Sequence, residues 1–169
     1  MDWQYFMELF LGGLTRGSIY ALIAIGYTMV YGIIELINFA HGEVYMLGAF
    51  VGLIIAGVLG IMGFPAPAIL VIAAVVAIIY CAGYGYTMEK IAYKPLRSAG
   101  RLSPLISAIG MSLFLQNYII LAQTSDFLPF PRLIPDLEFL EPIAHVFGAS
   151  DLVIVVTSAL FMAGLTAFI

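Results

Sequence analysis

Two carboxyls, an imidazole and an amide fall within nine consecutive positions: Glu35, Asn38, His41 and Glu43, in the stretch I-E-L-I-N-F-A-H-G-E-V-Y that runs from Ile34 to Tyr45. His41-x-Glu43 has the H-x-E spacing found in zinc deaminases, where the acid serves a metal-activated water, but those enzymes also need a P-C-x-x-C ligand pair. Cys81 is the single cysteine, so that reading lacks its metal ligands. In an apolar run (I-I-Y-C-A-G), Cys81 instead reads as a buried, inert thiol. Two readings remain open for the cluster. It is a polar turn between two membrane helices, or it is a helix break inside the membrane whose Asn38 side chain and freed backbone groups face a path. Irregular backbone is tolerated at membrane depth only where it is buried in protein or lines a cavity, and Gly42 would supply the flexible point.

The surroundings make such a cluster conspicuous. The 169 residues are 63% hydrophobic and 9% charged, with a mean hydropathy of +1.11. Soluble domains carry about 25% charged residues, so an all-α integral membrane protein is expected, a polytopic helix bundle with about five transmembrane helices. Apolar runs place the spans at roughly 17–34, 44–62, 68–86, 105–123 and 152–169 within a single domain, 1–169. Trp3, Tyr5 and Phe6 read as interfacial anchors, and the N-terminus carries no signature of a cleaved signal peptide. The last run is still apolar at Ile169, so the chain is expected to be cut off there.

Within the first span Tyr20, Tyr27 and Tyr31 recur at spacings that put them on one helical face, either as a packing stripe or as a polar lining leading toward Glu35 and Asn38. Gly48 and Gly52, four apart in the second span, would let a neighbouring helix approach closely. Lys90, Lys94, Arg97 and Arg101 hold four of the six basic residues and mark the loop after the third span as cytoplasmic. That places the N-terminus outside, provided that 35–43 separates two crossings. The fourth span carries Ser107, Ser112, Gln116 and Asn117. The proline-containing, mostly acidic segment 124–150 is expected outside, with a short interfacial helix at 137–143.

No P-loop, H-E-x-x-H or G-x-S-x-G pattern occurs, so no catalytic or cofactor set is expected. The basic stretch carries no nucleic-acid signature.

Two segments, L-G-G-L-T-R-G-S-I-Y-A-L-I-A-I-G-Y-T-M-V-Y-G-I-I-E-L-I-N-F-A-H-G-E-V-Y-M-L-G-A-F (Leu11–Phe50) and E-K-I-A-Y-K-P-L-R-S-A-G-R-L-S-P-L-I-S-A-I-G-M-S-L-F-L-Q-N (Glu89–Asn117), closely resemble the LivH-type permease subunits of branched-chain amino acid ABC importers. The resemblance implies a bacterial inner-membrane subunit that pairs with a second, LivM-like permease. It further implies two cytoplasmic ATPases, which would hydrolyse the ATP, and a periplasmic substrate-binding protein. Asn38, Phe39, Ala40, His41, Gly42 and Glu43 occupy the family's signature segment, and Glu35, Tyr27 and Tyr31 are the further candidates for translocation or gating. Related permeases for urea and short amides share similar N-F-A-H-G-E segments, so the substrate stays open between these classes. Family members continue past this point to the cytoplasmic loop that docks the ATPases. The chain is therefore expected to hold the first half to two thirds of a permease, part of the translocation path that by itself does not couple ATP hydrolysis to transport; a non-transporting membrane fragment or scaffold is the alternative.

Overall fold

The computed structural model describes residues 3–35, 37–100, 102–126, 128–131, 133–134 and 148–168, and the regular elements among them are all helical. Five long helices follow in order: α1 (Trp3–Ile34), α2 (His41–Ile61), α3 (Ala66–Met88), α4 (Leu102–Ala122) and α5 (Ala149–Phe168). Each is long and apolar enough to cross a membrane. The shortest, α5, has 20 residues, about 30 Å at 1.5 Å per residue, which matches the hydrocarbon core. Apolar side chains surround these helices instead of forming one stripe: on α3, Ile69 and Ala73 are buried while Val71, Ile78 and Ile79 stand exposed. That pattern suits a lipid solvent. Arg101 and the expected interfacial helix at 137–143 lie outside the described residues.

The chain divides into two compact units, Met1–Met29 with Ile134–Ile169, and Val30–Leu133. In the first, α1 is already helical at Trp3, although the span was expected only from Gly17. No proline interrupts 3–16, and Gly12 and Gly13 are weak breakers in an otherwise apolar setting, so the helix continues through an exposed Arg16. Trp3, Phe6 and Phe10 stack along it, with ring centroids 5.7 and 6.3 Å apart. α5 starts with half of a capping box: the Gly148 N–H donates to Asp151 Oδ2 at 3.0 Å.

In the second unit α2 and α3 form a hairpin. Gly63, at φ +79°, closes α2: its N–H donates to Gly60 O and that of Phe64 to Leu59 O, both at 3.1 Å. This is a Schellman arrangement, and a left-handed glycine is its usual centre. Pro65 and Pro67 then open α3, where their missing N–H groups forfeit nothing.

α3 does not end at the basic stretch. It runs on through a π-helical turn, Glu89–Tyr93, and a 3₁₀ turn, Lys94–Leu96. Pro95 explains the change. Its ring would collide with the carbonyl of Ile91 in a regular α-helix, and the wider turn relieves this, with the Lys94 N–H donating to Glu89 O. Lys90, Lys94 and Arg97 therefore sit on or at the end of a helical extension and not on an open loop. Arg97 pairs with Glu89 at 2.7 Å, and the Lys90 ammonium lies 5.6 Å from the Tyr86 ring centre. The buried core of this unit joins Ala40, Leu47, Met88, Tyr93, Ala108, Leu115 and Ile119. It thus brings the break before α2, the end of α3 and one side of α4 together.

Candidate functional site

α1 stops at Glu35, whose φ of +56° makes it the one non-glycine residue in the left-handed region among those described. A side chain there costs roughly 1 kcal/mol. The bend is thus at Glu35. Gly42, the expected flexible point, lies in the first turn of α2 with open space where a Cβ would stand. The break is shorter than 35–43: it ends at Ala40, and His41, Gly42 and Glu43 are already helical.

Asn38 organises the break. Its Oδ1 accepts from the Ala40 N–H at 3.1 Å, an Asx-type turn, while its backbone carbonyl accepts from the His41 N–H at 3.2 Å. The same Oδ1 also accepts from the Tyr93 hydroxyl at 2.8 Å. Half-buried Asn38 is thereby tied to the π turn after α3. One residue earlier, the Ala92 carbonyl accepts from Ser107 Oγ of α4 at 3.0 Å.

Glu43 faces α4. Its Oε1 accepts from Ser112 Oγ at 2.8 Å and from Gln116 Nε2 at 2.7 Å. Its Oε2 is buried and has no hydrogen-bond partner among the described residues. Ser112 is the midpoint of α4, about 15 Å from either end at 1.5 Å per residue, so the first turn of α2 lies level with the middle of its neighbour. Glu43 also stands in that helix's first turn, where the backbone dipole favours a carboxylate.

The remaining candidates take other places. His41 is half-buried and Glu35 exposed. Tyr20 and Tyr31 are exposed, Tyr27 is half-buried, and the Tyr31 hydroxyl makes no hydrogen bond among the described residues. At Gly48 α2 packs tightly on α3: a Cβ there would stand 2.9 Å from Cys81 Sγ, and the Cys81 thiol donates to Val44 O at 3.4 Å. Gly52 has nothing within 4 Å of a Cβ. Tyr93, Ser112 and Gln116 were not read from the sequence as partners of the cluster. One signal was present, since Ser112 and Gln116 are four apart and share a helical face in a span with no other reason for polar groups.

Together, five helices of crossing length among the described residues and a polar system joining the break before α2, the turn after α3, and α4 define a multi-pass, all-helical membrane protein. Residues 9–169 match the family described as the permease component of branched-chain amino acid transport systems, and the chain belongs to that family. The high-affinity branched-chain amino acid transport system permease protein BraD of Pseudomonas aeruginosa is 48% identical over 169 residues, covering 98% of this chain and 55% of BraD. LivH of Salmonella typhimurium is 47% identical over 170 residues, with the same two shares. LivH of Escherichia coli K12 is 47% identical over 130 residues, 76% of this chain and 42% of LivH. The chain thus spans about half the length of the curated relatives it matches. No solved structure matches it significantly.

Proposed function

We propose that this chain supplies part of the membrane-spanning path of an ABC importer for branched-chain or other neutral amino acids, in a bacterial inner membrane. It would work beside a second, LivM-like permease, two cytoplasmic ATPases and a periplasmic binding protein. The names of the relatives support the substrate class. The observation that carries the path is Glu43 bonded to Ser112 at the midpoint of α4. It supports a break at Glu35–Ala40 within reach of the membrane interior, where such polar groups need a water-lined cavity or protein partners. Asn38 and Glu43 then line or gate the path, with His41 between them.

The test is uptake of radiolabelled leucine by cells carrying the complete transporter, with Asn38→Leu, His41→Ala or Glu43→Leu in this subunit. Reduced uptake at normal membrane levels is expected for each. Unchanged uptake in all three would remove the path reading. Competition by unlabelled leucine and by urea in the unsubstituted transporter separates the two substrate classes.

A further inference from the structure

α2 and α4 are offset along their length. Glu43, in the first turn of α2, meets Ser112 at the midpoint of α4, and the residues that follow α4 come level with the middle of α2. Asp126, Leu128 and Phe130 line a recess of about 330 Å³ with Ala49, Phe50 and Leu53, and the last three lie within two residues of Val51, the midpoint of α2. From Val44 to Met88 no residue is charged, and none is Asn, Gln or His. The tip of the α2–α3 hairpin is apolar too, with Ile61 90% and Met62 65% exposed. A hairpin of this composition lies in hydrocarbon along both arms.

The depth of the recess follows from either helix. With α2 centred in a hydrocarbon core of about 30 Å, the recess stands near its middle. With α4 centred instead, the recess stands about 12 Å beyond Glu43, the rise from Glu43 to Val51, which is still inside a half-thickness of about 15 Å. Residues 124–126 and 128–131 form neither helix nor strand, so irregular backbone and a carboxylate reach this depth. Their chemistry fits the place: Pro129 and Pro131 have no N–H to satisfy, and the Asp126 N–H donates to Thr124 Oγ1 at 3.0 Å. Irregular backbone is tolerated there only inside protein or beside a cavity, and a carboxylate calls for water or a cation. The recess carries Asp126 on its wall and has room for several waters.

We propose that residues 124–126 and 128–131 lie within the membrane and, with α2, wall a water-filled recess in which Asp126 attracts cationic groups such as an ammonium. This goes beyond the transport reading, and neither the depth nor the charge depends on it.

The experiment uses the complete transporter in right-side-out membrane vesicles, with Cys81→Ala as background and this subunit followed by gel shift. A short bifunctional methanethiosulfonate is expected to join Leu128→Cys to Leu53→Cys but not to Met62→Cys, which stands about 13 Å further along the hairpin. Val58→Cys, between those two positions and 50% exposed, should resist membrane-impermeant reagents, whereas Leu128→Cys should react with them. At Leu128→Cys a cationic methanethiosulfonate should react about tenfold faster than an anionic one, and Asp126→Asn should cut that preference about threefold or more. Joining to Met62→Cys alone would overturn the level, and labelling of Val58→Cys would put the outer half of the hairpin in water and overturn the depth. No reaction at Leu128→Cys would mean that another part of the transporter fills the recess. A preference unmoved by Asp126→Asn would mean that the carboxylate does not face the water. Each of these two results overturns the recess. No readout involves uptake, so failure of the transport reading leaves all of them decisive. If Leu128→Cys fails to insert, Phe130→Cys, 50% exposed on the same wall, takes its place.

Discussion

The phenol of Tyr93 donates to the side-chain oxygen of Asn38 at 2.8 Å, joining residues 55 apart in sequence. The bond fastens the break before α2 to the π turn after α3, and the same oxygen also holds the Ala40 N–H. Removing the phenol should cost less than removing its acceptor. Tyr93→Phe is expected to lose about 0.6 kcal/mol and no more than about 1.7, the mean and the maximum for side-chain hydrogen bonds between membrane helices. Asn38→Leu leaves two donors unmatched and should lose about 1–3 kcal/mol. Reversible unfolding in mixed micelles, followed by circular dichroism, measures both; a larger loss in Tyr93→Phe would contradict the assignment.

Glu43 holds two donors on one oxygen. Glu43→Gln keeps a carbonyl for them, whereas Glu43→Leu leaves both without their acceptor, so leucine should destabilise more than glutamine by roughly 1–3 kcal/mol. A double-mutant cycle of Glu43→Gln with Ser112→Ala should show a coupling of about 0.5 kcal/mol or more. Strict additivity would mean that the 2.8 Å contact contributes nothing.

Two glycines of one motif should behave differently. Gly48→Ala drives a methyl to within 2.9 Å of Cys81 Sγ and should lose about 1–3 kcal/mol by overpacking. Adding Cys81→Ala should restore most of that. Gly52→Ala meets open space and should be neutral or slightly stabilising. Equal losses at the two positions would show that the motif packs in a way the α2–α3 hairpin does not.

At Glu35, with its φ of +56°, glycine is the residue best suited to the backbone. Glu35→Gly should leave stability unchanged or raise it by up to ~1 kcal/mol, and Glu35→Val should lower it by more than 1 kcal/mol, since a β-branched side chain is least tolerated there. A stable valine variant, judged by melting in detergent, would place the bend elsewhere.

How far the sequence carried the reading follows from distance along the chain. The five helices were legible because each is an apolar run long enough to count. The break was legible because its polar residues interrupt such runs. Its partners were not: Ser112 and Gln116 stand 69 and 73 residues from Glu43, and no local pattern states which faces meet. The helical start of α1 lies ahead of the expected span 17–34 because a helix can extend past its most apolar run, here through an exposed Arg16, at little expense. The extension of α3 was hidden by Pro95, which argues for a stop in an α-helix but is accommodated once the preceding turn widens.

That widened turn sets a phase. A π turn holds one residue more than the α turn it replaces, and each residue of a helix advances by about 100°. Everything after Glu89 is therefore rotated relative to the face that α3 presents before it. Tyr93 meets Asn38 only because of that offset. Deleting a single residue between Glu89 and Tyr93 would preserve composition, charge pattern and hydropathy almost unchanged, yet it would turn the phenol to another side of the rod. Chain length over these five positions is accordingly under tighter constraint than the identity of most residues that fill them.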